Sequence, residues 1–477
     1  MEGDFTRNSD DLAGSYSGVL MQQGRVQLDA DWNEQWAIQN RALRAALRDL
    51  IGQHGGPLSE LGFRVDPVAG HDGVRVGPGI YYVDGVRVRS HVTDTVSLAK
   101  LATGSYVVFL DVWERHVNLI EDPHTREVAL LGPDTASRAE VVWRVRLLEL
   151  SPDLPVVESP RAAAEAAVEA LRTQARRRLA ARARTANPTD DPCLLAPTAQ
   201  YRGRENQLYR VEIHDALVGD EQSANDPVRF TFKWSRDNGS VVFPIVSVSG
   251  ATGDAPARAD GKVAVTVELG HLGRDARYGL TAGDIVEFVH DKLTRGLLDV
   301  APVPAGGPDP GRAGLLGEVT AIDPDAMTVT VTVFADDVAE VLDKPLRPYL
   351  RRWDHRASKT TKLLAGALPI RDSQLDTWLE LEDGVEVRFE GKRDNGEALR
   401  QRAGDYWQIP ARTVTGDVEW AEPGPGEGVA DGRALRAPAG IVHHLAPLAL
   451  VSWINQRVQI LGRTRRTFPE LAVPETP

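Results

Sequence analysis

Apolar positions along this chain recur in two rhythms. From Asp31 the spacing is helical: Trp32, Trp36, Leu43, Leu47 and Leu50 stand three, four or seven apart. Asp31 and Glu34 have the spacing of a capping box, and Gly52 supplies a stop, so a helix is expected from Trp32 to Ile51. Arg41, Arg44 and Arg48 fall on a different face. The apolar face either packs on its own domain or docks a partner. Elsewhere the rhythm is alternation. VRVGPGIYYVDGVRVRSH sets Asp84-Gly85 between two strand-like runs, a strong hairpin signal. SYVVFLDVWERHV, AEVVWRVRLLEL and LYRVEIHDA are further strands. VRFTFKWSRDNGSVVFPIVSVSG reads as a hairpin around Asn238-Gly239, and LELEDGVEVRFEG turns at Asp383-Gly384. KVAVTVEL, DIVEFVHD, LLGEVTAI and MTVTVTVF follow at the short spacing of small barrels or sandwiches.

One segment breaks the β pattern. From Arg161 to Ala186 alanine and arginine dominate, and both favour helix. Pro160 precedes the segment and Asn187-Pro188 stops it, so a helix of about 39 Å is expected. Its apolar stripe (Ala164, Val168, Leu171, Ala175, Leu179) is thin, which argues against a core helix and for a solvated spacer, a coiled-coil arm or a surface that a partner covers. The fold class is therefore mainly β with two notable helices, built from several small β-sandwich or barrel domains. The expected organisation is an N-terminal helix with a small β domain over 1–150, an Ala/Arg-rich helical spacer over 151–199, a β domain over 200–300 and a C-terminal β-rich domain over 301–477.

Composition refines this reading. The formal charge of −13 repels a phosphate backbone, so nucleic acid is a poor partner. The one basic patch, Arg172 to Arg184, lacks interleaved aromatics and reads as a solvated helix face. Cys193 is the only cysteine, which excludes an intrachain disulfide and a zinc ribbon. The opening MEGDFTRNSDDLAG has neither the basic nor the apolar region of a Sec signal, and no apolar run reaches the roughly 18 residues of a membrane span.

The usual marks of catalysis do not appear. There is no phosphate loop and no His-Glu-x-x-His. Gly14-Ser15-Tyr16-Ser17-Gly18 resembles a nucleophile elbow, but Tyr16 holds the central place. Glu205, His214 and Asp215 flank one strand, where alternation sends His214 and Asp215 to opposite faces, and the same alternation splits His443 from His444. Glu382-Asp383 could serve a glycosidase, which needs two carboxyls about 5 to 9 Å apart, yet Asp383-Gly384 is better read as a turn. No catalytic, cofactor-binding or metal-ligating residue is assigned.

More telling are clusters dense in Trp, Tyr, Arg, Asn and Asp. Arg and the aromatics among them are enriched at interface hot spots, and they also seal small β domains by cation–π stacking. Four such stretches are YSGVLMQQGRVQLDADWNEQ from Tyr16, GRENQLYRVEIHD from Gly203, FKWSRDNGS from Phe232 and GDYWQIPAR from Gly404. Together they resemble an uncharacterised family encoded beside extracellular contractile injection systems and related phage-like tails, and the likeness runs on to His443-His444 and PLALV. The N-terminal GRVQLDADWNE, followed by a helix and GPGIYYVDGVRV, is similar to the start of phage baseplate and tail-fibre adaptor proteins. The resemblance implies a structural part of such a particle: baseplate-peripheral, spike-associated or a fibre adaptor. Its partners would be other tail, baseplate or spike subunits and further copies of itself. It would assemble in the cytoplasm and reach the outside only by release. Candidate assembly residues are Arg25, Asp31, Trp32, Asn33, Trp36, Trp234, Arg236, Trp353, Tyr406 and Trp407. The alternatives are a glycan-active enzyme, which needs paired carboxylates in one cleft, and an effector carried by the particle, which should harm growth when expressed alone.

Overall fold

SYVVFLDVWERHV forms the strand Gly104–Val117, inside a four-stranded sheet ordered Arg457–Arg463, His443–Ile454, Gly104–Val117, Arg138–Glu149. Its alternation sorts two faces. Val108, Leu110 and Val112 pack with Ala446, Leu448 and Val451 and with Val74, Tyr81 and Val83 of two smaller sheets. Val107 and Phe109 face the other way. The computed structural model describes residues 1–8, 16–131, 134–150, 159–184, 200–216, 226–250, 262–296, 301–304, 307, 309, 311, 313–334, 347–358, 361–391, 399–424 and 428–469. Gly14, Ser15, the Asn187-Pro188 stop and Cys193 lie outside them.

The first helix, α1, spans Asp29–Ile51 and closes at Gly52, whose N–H bonds to Arg48 O at 2.8 Å. It starts earlier than the capping box predicts. Leu28 is the cap, without a side-chain bond, and Asp31 sits in the first turn, where its charge suits the helix dipole. Only Ala30 and Ile38 are buried. The expected apolar face is turned outward: Trp32, Trp36, Leu43 and Leu50 are all exposed. The helix touches the body through its arginine face. Arg44 pairs with Glu114 at 2.7 Å. The Asp84-Gly85 turn comes so near that a Cβ on Gly85 would overlap Arg44.

The long Ala/Arg helix is not what forms. Helix α2 covers Pro160–Arg172, capped by the Ser159 hydroxyl accepting from Ala162 N–H at 3.2 Å. Its thin stripe is buried after all, with Ala164 and Val168 against Val107, Phe109, Leu148, Leu445 and Leu450. Small residues here allow close approach to the sheet. Past Thr173 the chain extends, and Leu179–Ala183 is a strand paired with Val385–Phe389. Helix propensity loses to two tertiary gains. Leu179, Ala181 and Ala183 join a core. The arginines meet carboxylates, Arg182 with Glu386 at 2.8 Å directly across the ladder and Arg184 with Glu380 at 3.1 Å. The expected solvated basic face is thus an ion-paired strand.

That strand belongs to a three-stranded sheet (Leu379–Glu380, Val385–Phe389, Leu179–Ala183). The Asp383-Gly384 hairpin has the expected left-handed turn, with φ of 48° and 82°. Its core is shared with a central sheet ordered Leu368–Arg371, Val228–Ser235, Gln207–Asp215, Tyr406–Arg412, Asp417–Val418. The expected hairpin around Asn238-Gly239 is corrected here. Both residues have the turn's positive φ, 50° and 67°. Yet Val228–Ser235 stays in the central sheet, while Val242–Ser249 leaves for a closed six-stranded barrel. The barrel runs Val242–Ser249, Lys262–Leu269, Thr328–Phe334, Leu315–Asp323, Ile285–Val289, Tyr349–Trp353, around a core of Val265, Val267, Val286, Phe288, Val331 and Leu350. Among the described residues no helix is long and apolar enough to cross a membrane.

Candidate functional site

Alternation on the central sheet predicts one apolar and one polar face. Tyr209, Val211 and Ile213, with Phe230, Phe232, Trp234, Trp407 and Ile409, form the apolar face. Arg210 and Glu212 lie on the other, with Lys233 paired across from Glu212 and Tyr406 on its far side. This polar face is not solvated. It is covered by the outer side of the barrel, where Glu287 and Arg351 are register partners. The outcome is a buried layer of charge. Lys233 Nζ lies 2.7 Å from Glu287 Oε1 and 3.2 Å from Glu212 Oε1. Arg210 Nε donates to Glu212 Oε2 at 2.6 Å and its guanidinium stacks on the Tyr406 ring at 3.6 Å. Trp353 Nε1 donates to Glu287 Oε2 at 2.9 Å.

The layer opens on a cavity of about 820 Å³ whose far wall is the Gly104–Val117 sheet. There Asp111 sits almost fully buried. Arg146 bridges Asp111 at 3.1 Å and Asp309 at 2.7 Å, and Arg402 reaches Asp111 at 3.3 Å. His443 Nδ1 is 2.6 Å from Asp111 Oδ1. Burial pushes the Asp111 carboxyl up, but His443's hydrogen bond, Arg402 and Arg146 override it and hold the group well below the ordinary carboxylate range. An ionised Asp111 only accepts, so Nδ1 of His443 carries the proton and Nε2 keeps its lone pair. Burial, reinforced by Arg402, pushes His443 down to about 4. This pair is half of a general-base device. Among the described residues no hydroxyl or thiol is hydrogen-bonded to Nε2, so the nucleophile half is not on display.

The third contribution comes from residues 1–5. The Glu2 carboxylate takes a bidentate pair from Arg351, at 3.0 and 2.8 Å, and has Arg210 Nη2 at 3.7 Å. Burial pushes Glu2 up, but Arg351 and Arg210 prevail and bring it to about 2. Asn238 clamps this segment: its Nδ2 donates to Met1 O at 3.1 Å and Gly3 O at 2.9 Å. Gln408 Nε2 donates to Asn238 Oδ1 at 3.0 Å and to Met1 O at 3.1 Å.

Of the ten candidate residues, Arg25, Trp32, Asn33 and Trp36 are exposed on or just before α1, and Asp31 is half-buried. Trp234 and Trp407 lie in the sandwich core, Trp353 is buried under Lys233 at 4.4 Å, and Tyr406 backs the charged layer. Arg236 pairs with Glu382 at 2.7 Å. Burial first, then Asp354, pushes Glu382 up to about 7 despite Arg236. His214 is buried while Asp215 is exposed, and Glu205 pairs with Arg277, so the three residues flanking that strand do not converge. His443 and His444 go to different acids, Asp111 and Asp84. Among the described residues no group of three or more His, Cys, Asp or Glu is placed to hold a metal ion.

The sequence profile of a Family of unknown function (DUF6519) matches residues 1–69, 90–153 and 151–455. The chain belongs to the DUF6519 family. No curated protein and no solved structure matches it. The DUF6519 match takes in Glu2, Asp111, Arg210, Lys233, Arg351 and His443, so the cavity and its charged layer are built within the family segment.

Acid should undo this interior. Burial is the first cause holding His54, His116, His355 and His443 down to about 4, against an ordinary 6.5. Between those values the unfolded chain binds more protons than the folded one. The stabilising contribution is therefore complete above pH 6.5 and declines as pH falls towards 4. Glu382, raised to about 7, has the opposite sign, but it is one group against four. Thermal unfolding followed by tryptophan fluorescence is expected to give a Tm at least about 5 °C lower at pH 5 than at pH 7.5.

Proposed function

We propose that this protein is a non-enzymatic assembly subunit of a phage-tail-like contractile particle, at the baseplate periphery, beside the spike or as a fibre adaptor. One observation carries the reading: an uncovered apolar band. Leu20 is 90% exposed, Val26 83%, Trp32 65%, Leu43 59% and Trp36 48%, all within α1 and the segment leading into it. A band of this kind marks a surface made to be covered by protein. Its occupant is a neighbouring particle subunit, and further copies of this chain complete a ring. The likeness of GRVQLDADWNE from Gly24, with the helix and GPGIYYVDGVRV that follow, to the start of baseplate and fibre-adaptor proteins supports the same assignment.

Trp36→Ala is expected to leave the circular dichroism and Tm unchanged, because a half-exposed side chain of α1 contributes little to folding. It should remove the protein from sheath–tube particles sedimented from the native cell, as read by mass spectrometry against sheath. Normal incorporation, or an unfolded variant, would sink the assignment. In wild-type particles a fixed ratio to sheath reports the ring symmetry.

A glycan-active enzyme or carried effector is the competing reading, favoured by the Asp111–His443 pair at the cavity. It requires that His443→Ala abolish an activity or a growth defect caused by the protein expressed alone.

A further inference from the structure

The charged layer is balanced only because Glu2 is in it. Arg210, Arg351 and Lys233 face Glu212 and Glu287, so without Glu2 three cations meet two carboxylates. Glu2 arrives on a segment held by hydrogen bonds rather than by a hydrophobic core, with Gly3 N–H donating to Asn238 O at 3.3 Å and Thr6 N–H to Asp29 Oδ2 at 2.8 Å. The Met1 and Gly3 backbone is bound by Asn238 and Gln408, and the Glu2 side chain itself remains 23% exposed. Gly3 makes the entry possible. At φ of 128° it adopts a conformation that L side chains rarely take, and a Cβ there would sit 2.9 Å from the Phe5 ring and 3.0 Å from His116 Nε2.

Around this carboxylate the binding capacity is not used up. Arg210 is 1% exposed, yet its Nη1 has no hydrogen-bond partner, and the same holds for Arg351 Nε and His116 Nε2. Buried donors left in this state cost free energy that an additional acceptor would recover. The cavity of about 820 Å³ begins at this point, with Glu2, His116, Arg210 and Arg351 in its wall. Space, cations and spare donors therefore coincide.

We propose that Arg210 and Arg351 form a binding site for a small carboxylate ligand, which Glu2 fills from within the chain and which opens into the cavity when Met1–Phe5 withdraws. The planar Arg351 fork matches a carboxylate, as its bidentate grip on Glu2 demonstrates. A single negative charge restores the balance of the layer. A phosphate dianion would overshoot it beside Glu212 and Glu287, so carboxylate is selected over phosphate. The N-terminal segment then acts as a tethered competitor: the ligand is admitted only where something else holds residues 1–5 away.

Chemical rescue tests this in the full-length protein. Glu2→Ala should lower Tm, and about 50 mM propionate should recover at least half of the loss, while chloride at equal ionic strength does not. The parent protein, whose site is filled, should not respond. Glu2→Ser, which likewise removes the carboxylate and empties the site, provides the same test if the alanine variant does not fold. Adding Arg351→Met to either variant should erase the rescue. Absence of rescue in both variants, or equal stabilisation of the parent, overturns the proposal. Rescue by inorganic phosphate as strong as that by propionate overturns the carboxylate assignment.

Discussion

Lys233→Ala is expected to destabilise the protein by about 3–5 kcal/mol, the range for removing one partner of a buried ion pair. Lys233 is 1% exposed and holds two carboxylates, Glu287 at 2.7 Å and Glu212 at 3.2 Å. Alanine leaves both acids in place without their shared cation. Glu212 keeps Arg210, but Glu287 keeps only neutral donors such as Trp353 Nε1. The ammonium also caps the Trp353 ring, a contact worth roughly 2 kcal/mol when desolvated. Urea unfolding should show the loss directly. Glu287→Gln in the same chain should return part of it, because the unpaired charge is then gone. A single variant within about 1 kcal/mol of the parent would show that this layer is solvated in solution.

Phe389→Ala should cost a similar amount, about 3–5 kcal/mol, for a different reason. The ring is fully buried between the two sheets of the sandwich. It meets Phe230 at 5.2 Å, Phe232 at 5.3 Å and Trp407 at 6.0 Å, each nearly edge-on. All three neighbours belong to the central sheet while Phe389 stands on the facing three-stranded one, so the cavity left behind cannot close without moving one sheet towards the other. Phe389→Leu, which refills most of the volume, is expected to cost less than half as much in the same urea titration. Equal losses for the two variants would show that edge-on geometry, and not volume, dominates.

The β character and most strands were readable because alternation is a local signal, as SYVVFLDVWERHV and MTVTVTVF illustrate. Asp84-Gly85 and Asp383-Gly384 were readable for the same reason: the turn chemistry and its two strands are adjacent in the chain. Asn238-Gly239 carries an identical signal and yet joins two sheets, since partner choice is settled by residues far away. The Ala/Arg segment failed likewise. Nothing local to Arg182 reveals that Glu386 lies opposite it. The site was hidden by a rule that usually works. Polar positions alternating with apolar ones in LYRVEIHD suggest one solvated face, but the barrel covers Arg210 and Glu212. Four charged residues scattered along the chain, Glu2, Lys233, Glu287 and Arg351, have no spacing to betray them. Dense clusters of aromatic and charged residues were the available hint: GRENQLYRVEIHD, FKWSRDNGS and GDYWQIPAR, three of the four, supply Arg210, Glu212, Lys233 and Tyr406 to this interior.

The pairing of Gly104–Val117 with His443–Ile454 has a consequence for biosynthesis. On the ribosome the earlier strand emerges long before its neighbour. At about 10 residues per second the wait between Val117 and His443 is roughly half a minute. Throughout that interval the nascent chain carries an apolar strand with one bare edge, a template for mispairing with other chains. Arg138–Glu149 can protect only the opposite edge. Production of this protein should therefore depend on a chaperone that shields the open edge during translation, and slowing initiation so that nascent chains stay far apart should raise the folded yield.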